Sequence, residues 1–459
     1  MPGSLVSRVF SLLRHGVLVA LAVPTAVFAL APAPVTSASP DHAAVRSADS
    51  SPALATGSSL RSPADALPGP IPVRFGAVTR TPKASWIPAD GQVNALATDG
   101  TYVYLGGTFT SLTNPANGQL QTHAGLARIN LATGVADSTW NPAVVGQVDA
   151  LAYRSSGGTL FVGGLFSAVN GATRANLAAV SISGGGALSS FNPAPDDEVR
   201  ALLLDGTKLV VGGLFTTIAG DSQHRLARLD ATSGANDSGF TPNVSGGGVF
   251  AVVRPPGSSA YAIGGGFTLI NNVGHTFIGQ VSASSGTGLS WAPSTVCPPG
   301  VKCQALSLDA NGTTLFAAIA GPGGQTAAYD LASGQRQWVV ASDGNSQAVA
   351  LYGGELYVGG HFNVSFGGQL RRTLAAVDPR TGALDPGFRP SAQSTFPGTE
   401  ALLATPFGLV AGGAQLAIDG TAQSRLAIFP RSGASGPAQN VPAGPGPGLA
   451  VRRPLSSMR

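Results

Sequence analysis

Seven times along the chain the phrase Val-x-Ala-Leu, or a near equivalent, opens an apolar run. Its variable position reads Asn94, Asp149, Arg200, Phe250, Gln304, Val349 and Glu400. Five of these seven are polar inside an otherwise apolar phrase. Two carboxylates, Asp149 and Glu400, beside the guanidinium of Arg200, could serve acid–base chemistry on an anionic substrate: one carboxyl gives a proton, the other takes one, and the arginine holds the charge. Hydrolysis by such a pair needs its carboxyl groups about 5 to 10 Å apart, which only folding can supply. The same ring, with Asn94 and Gln304, would also suit a polar ligand pocket or a water-wetted channel.

Other chemistry finds little footing. His123, His224, His275 and His361 fall in long connections and read as solvated loop residues. No His-x-x-x-His or carboxylate spacing gathers metal ligands. Neither a Gly-x-Ser-x-Gly nucleophile turn nor a Gly-x-x-x-x-Gly-Lys phosphate loop is present. No metal or cofactor is therefore expected. Cys297 and Cys303 are the only cysteines, and an isolated pair so close reads as a structural disulfide in an exported protein. Charged residues are 10% of the chain and the net charge is +4. That charge is scattered, which gives nucleic-acid binding no support.

The elements that position these residues are repeats. The phrase Leu160-Phe161-Val162-Gly163-Gly164-Leu165-Phe166 returns at 102–109, 209–215, 261–267 and 356–362, with degraded copies at 315–321 and 409–415. Two further phrases follow in each unit. One is Leu-Ala-x-hydrophobic-Asp with a glycine turn, as at 226–234; the other is an aromatic, one residue, then proline, as in Trp140-Asn141-Pro142. Short apolar runs bounded by turn residues mean four strands per unit. A period near 50 with four strands per unit predicts a β-propeller. The aromatic-x-Pro phrase also occurs at Trp86, before the first unit, whereas the seventh unit stops at Phe429 without one. A strand near Trp86 is thus expected to complete the seventh blade. The expectation is an all-β, seven-bladed propeller of four-stranded blades over 85–430. The fifth unit departs most, with Ala317-Ala318 where Val-Gly would stand.

These phrases resemble the tandem β-propeller repeats of secreted actinobacterial proteins, the delta-60-like repeats, and more distantly the fungal cortical polarity marker propellers. The resemblance covers roughly 85–430 and rests on Val-x-Ala-Leu, Tyr-Val-Gly-Gly-x-Phe and Leu-Ala-x-x-Asp-x-x-Thr-Gly. It implies the fold and attaches no catalytic residue to those phrases.

Outside the repeats, Arg8 and Arg14 precede an apolar run from Val17 to Ala31 with small residues after it, the pattern of a signal peptide over 1–38. Residues 39–84 are rich in alanine, serine and proline and read as a disordered spacer; 431–459 reads as a tail of the same kind. The sequence therefore predicts a secreted monomer, free of the membrane once its leader is removed. Its long loops on one propeller face would bind an extracellular glycan, a wall component or a secreted protein, without catalysis. The alternative is an extracellular hydrolase or lyase at the channel mouth, with Asp149 and Glu400 as acid and base and Arg200 as anion holder.

Overall fold

The computed structural model describes residues 76–294, 297 and 301–433, all within one compact unit, Pro70–Arg459. The expected leader, most of the expected spacer and nearly all of the expected tail lie outside the described residues. Every regular element among the described residues is a β-strand.

Seven antiparallel sheets share one order, with the first strand paired to the second and the second to the third. Sheet one holds Val93–Thr98, Tyr102–Gly107 and Leu126–Asn130; sheet two holds Val144–Arg154, Thr159–Val169 and Leu177–Ser181. Sheet three holds Val199–Asp205, Lys208–Gly213 and Leu226–Asp230; sheet four holds Val249–Val253, Ala260–Gly265 and Ile278–Ser282. Sheet five has four strands, Gln304–Ala310, Thr314–Ala320, Gln325–Asp330 and Arg336–Ala341. Sheet six holds Ser346–Tyr352, Glu355–Gly360 and Leu374–Val377, and sheet seven Ala392–Thr405, Gly408–Ile418 and Leu426–Pro430. These runs are apolar throughout rather than alternating because both faces of each sheet are covered. In the second strand of sheet four, for example, every residue is buried.

The first strand of each sheet packs against the first strand of the next, and that of sheet seven packs against that of sheet one. The glycine pairs make this approach possible. A Cβ on Gly163 would sit 2.5 Å from Val199 Cγ1 in sheet three, and one on Gly412 would sit 2.6 Å from Val93 Cγ1 in sheet one. The second glycine of each pair lies against a backbone carbonyl, that of Glu198 for Gly213 and of Asn345 for Gly360. Sheet five solves the same problem differently. Ala318 replaces the first glycine, and the facing position of sheet six is Ser346, smaller than the usual valine.

The fourth strand differs from expectation. In sheets one to four and six it shrinks to one isolated bridge, such as Ile129 with Ala136 or Leu229 with Asn236. Sheet five, the unit whose sequence departs most, is the one with a full fourth strand, in which Val340 faces Thr326 and Trp338 faces Ala328. The ladder ends before the proline is reached, because the chain turns just after the bridge: Thr139 and Trp140 donate to Asp137 Oδ1 in sheet one, and Phe240 donates to the Asp237 carbonyl in sheet three. In sheet five Arg336, Trp338 and Val340 all stay in the ladder. The aromatics still anchor the sheets. Trp140 is 1% exposed, meets Tyr104 edge-on at 5.3 Å and donates through Nε1 to the Ser181 carbonyl of sheet two at 3.0 Å.

At the N-terminal end the pairing falls earlier than Trp86. Val78 bridges Arg431 and Lys83 bridges Ile428, alongside the last strand of sheet seven. Trp86 itself donates its backbone N–H to Gly134, and its ring packs with Val93, Leu426 and Ile428 between sheets one and seven. Residues 76–84, expected as the end of the spacer, thus lie against sheet seven.

Candidate functional site

Each first strand begins with a β-bulge at the end that carries the long connections. In every sheet the register slips around one equivalent residue, Asn94, Asp149, Arg200, Phe250, Leu306, Gln347 and Glu400, and the longer first strands of sheets two and seven slip again nearer their beginnings. A bulge leaves its residue unpaired and re-aims the side chain. Sheets five and six correct the sequence reading, which had Gln304 and Val349 here. Gln304 instead aligns with Gln147, two residues ahead of the bulge, and Val349 lies inside the ladder opposite Val358. Five bulge residues remain polar. Phe250 and Leu306 make an apolar arc, packed with Leu214 and Ala320.

The polar arc is knitted together across sheets. Gln92 Nε2 donates to Glu400 Oε2 at 3.0 Å and to Asn94 Oδ1 at 2.9 Å. Asn94 Nδ2 donates to Asp149 Oδ1 at 3.0 Å and to the Val148 carbonyl at 3.2 Å. Gln147 Nε2 also donates to Asp149 Oδ1. Asp149 and Glu400, the two carboxylates of the sequence reading, are therefore joined through two amide side chains. Arg200 does not hydrogen-bond Asp149; its Nη2 donates to Glu198 Oε2 at 2.8 Å, and its guanidinium lies over the Phe250 ring at 5.2 Å. Asp149 is 1% exposed and Glu400 0%, so neither carboxyl opens to solvent. Burial pushes the Asp149 carboxyl up to about 7; the neighbouring Glu198 charge adds to the shift, and Arg200 and Gln147 pull against it.

Gln92, Gln147 and Glu198 were missed in the sequence. Each stands two residues before a bulge position, so a period-two reading places it on the same face as the ring.

The long connections are built rather than irregular. Five of them are hairpins whose two turn residues both have positive φ: Asn170-Gly171, Ala219-Gly220, Asn271-Asn272, Gly367-Gly368 and Asp419-Gly420. This is the type I′ turn, whose twist suits paired strands. Asp196 fastens one hairpin by accepting the N–H groups of Thr216 at 2.7 Å and Thr217 at 2.9 Å. The histidines also differ from expectation. His123 and His275 are buried, at 1% and 5% exposure, and burial lowers the pKa of both. Among the described residues no group of three or more His, Cys, Asp or Glu is placed to hold a metal ion. Cys297 and Cys303 are disulfide-bonded, with 6.2 Å between their Cα atoms, beside the core of sheet five.

Residues 208–240 match the model of a domain of unknown function, DUF5122, described as a β-propeller. The chain thus carries a repeat of β-propeller type. The match spans the second and third strands of sheet three and continues to Phe240. None of the curated proteins matches the chain.

Proposed function

We propose that the seven sheets are the blades of one closed seven-bladed propeller, and that this propeller is a secreted, non-enzymatic binding protein. Closure is supported by three features that join sheets seven and one: the packing of their first strands, the fit of Gly412 to Val93, and Arg425, which donates to the carbonyls of Gly91 at 2.9 Å and Pro88 at 3.4 Å. The Cys297–Cys303 bond suits an oxidising compartment.

The observation that carries the binding reading is where the exposed apolar side chains lie. Of the twelve large hydrophobic residues exposed among the described residues, all but Val135, Val339 and Phe407 sit on the hairpins and strand ends of the bulge-bearing face. Val273 and Val364 are 60% and 67% exposed. Apolar groups held on rigid hairpins cost solvation and contribute nothing to the core; they suit a surface that a partner covers. The face is proposed to bind a secreted protein, a glycan or a wall component, and its aliphatic character favours the protein. The alternative, a hydrolase or lyase using Asp149, Glu400 and Arg200, would require substrate to reach carboxyls that are sealed and already hydrogen-bonded.

The test is a screen of secreted proteins and glycans, run beside a hydrolase panel. Binding that is lost in Val273→Asp and Val364→Asp, with folding intact, is expected. Turnover that disappears in Asp149→Asn or Glu400→Gln, in protein that still folds, would overturn this reading.

A further inference from the structure

We infer that Asp149 and Glu198 share one proton as a carboxylic acid–carboxylate pair, forming a pH-sensitive latch between the first strands of sheets two and three. The repeat geometry aims the two groups at each other. Asn94, at the bulge of sheet one, reaches across to the Val148 carbonyl and to Asp149 in sheet two. Asp149 stands one sheet further on, so its equivalent target is the flank of Val199, where Glu198 and Arg200 stand. The two first strands pack against each other, each acid keeps one buried oxygen without a donor, Asp149 Oδ2 and Glu198 Oε1, and the Glu198 charge is felt at Asp149.

The remaining bonds show why a proton is needed. Asp149 Oδ1 accepts from Asn94 and Gln147, and Glu198 Oε2 accepts from Arg200. The other oxygens, Asp149 Oδ2 and Glu198 Oε1, are buried and receive no donor from any protein group. Two ionised carboxylates have only acceptors to offer each other; one proton turns that repulsion into an O–H···O⁻ bond. The groups facing Asp149 are neutral Asn94 from sheet one, neutral Gln147 from its own strand, and Glu198 with Arg200 from sheet three. Glu400 of sheet seven stands further off, behind Gln92 and Asn94. One guanidinium thus meets two carboxyls, and the shared proton makes the set neutral.

The sign of the pH effect follows. The folded value for Asp149, about 7, is raised above its ordinary 3.8. The folded chain therefore binds a proton that the unfolded chain releases, and stability is lost as pH rises from about 4 to about 7. Above that range the bare pair repels, and the latch end of both strands loosens.

The test uses the full chain, with Asp149→Asn and Glu198→Gln, and denaturant unfolding from pH 4.5 to 8.5. Asp149→Asn supplies an amide donor where the proton sits. It should remove about one proton from the pH dependence of stability and be more stable than the wild type at pH 8. Infrared difference spectra in heavy water at pH 6, wild type minus variant, should show a buried protonated carboxyl lost in both variants, over the constant background of Asp309, which burial raises to about 6. Wild-type amide exchange at 148–150 and 199–201, corrected for intrinsic rates, should quicken above pH 7. Should Asp149→Asn fail to fold, the difference band against Glu198→Gln decides. A missing difference band, or a pH slope that either variant leaves unchanged, overturns the proposal.

Discussion

Ala219 has φ of +53° and shares its turn with Gly220 at +83°. An L-residue there crowds its Cβ against the backbone, at a cost of about 1 kcal/mol; asparagine, glycine and aspartate fill the equivalent place in the other hairpins. Ala219→Asn should therefore stabilise the protein by about 0.5–1 kcal/mol, read as a rise in the denaturant midpoint, and no rise would refute the strain. The signal for these hairpins was present in the sequence, because Asn170-Gly171 and Asp419-Gly420 are strong turn dipeptides. It was masked by the length of the connections around them. The bulge residues were half legible. In sheets five and six the apolar pattern fits equally well two residues away, since a two-residue slip keeps every side chain on its face. Only the ladder shows that Leu306 and Gln347 occupy the bulges. The burial of His123 and His275 had no sequence signal at all, since it depends on how their connections fold back.

At the level of elements, the fourth strands were read correctly as phrases and wrongly as regular strands. The turn just ahead of the phrase, built on Asp137 in sheet one and Asp237 in sheet three, is what stops the ladder. Val340→Pro should remove a ladder donor from the last strand of sheet five, opposite Thr326, and loosen that strand at a cost of about 2 kcal/mol. Hydrogen exchange would report it as lost protection over 336–341; retained protection would count against the argument. The glycine pairs carry a second expectation. Gly163→Ala puts a methyl against Val199 Cγ1, and overpacking of this kind costs about 1–3 kcal/mol. Ala318 facing Ser346 shows the natural remedy, a smaller residue opposite. Val199→Ala should thus be less damaging in the Gly163→Ala background than alone, with a coupling of at least about 0.5 kcal/mol in a double-mutant cycle. Simple additivity would deny that the two residues compete for space.

For the molecule as a whole, the repeat period and the unpartnered aromatic at Trp86 were enough to expect a chain whose beginning meets its end. The meeting point was not legible. It lies at Val78 and Lys83, in a stretch whose alanine, threonine and proline look like spacer, because its partners are backbone carbonyls and the turn of sheet one. Lys83 Nζ donates to the carbonyl of Ala132 at 2.9 Å. A chain starting at Ser85 should be less stable than one starting at Gly76 by about 3 kcal/mol, from three lost backbone bonds and the burial of Val78. Its Leu426–Pro430 strand should also exchange its amides faster; equal stability of the two chains would remove residues 76–83 from the fold. That seam has a geometric corollary. Ser432 N–H donates to the Ala77 carbonyl, and Gly353, in a tight turn, abuts Ala77. Both ends of the described chain therefore emerge side by side, at the pole away from the bulges and hairpins. A label attached directly at Gly76 or Gly433 would therefore leave the exposed apolar hairpins uncovered, because it would sit at the opposite ends of the strands.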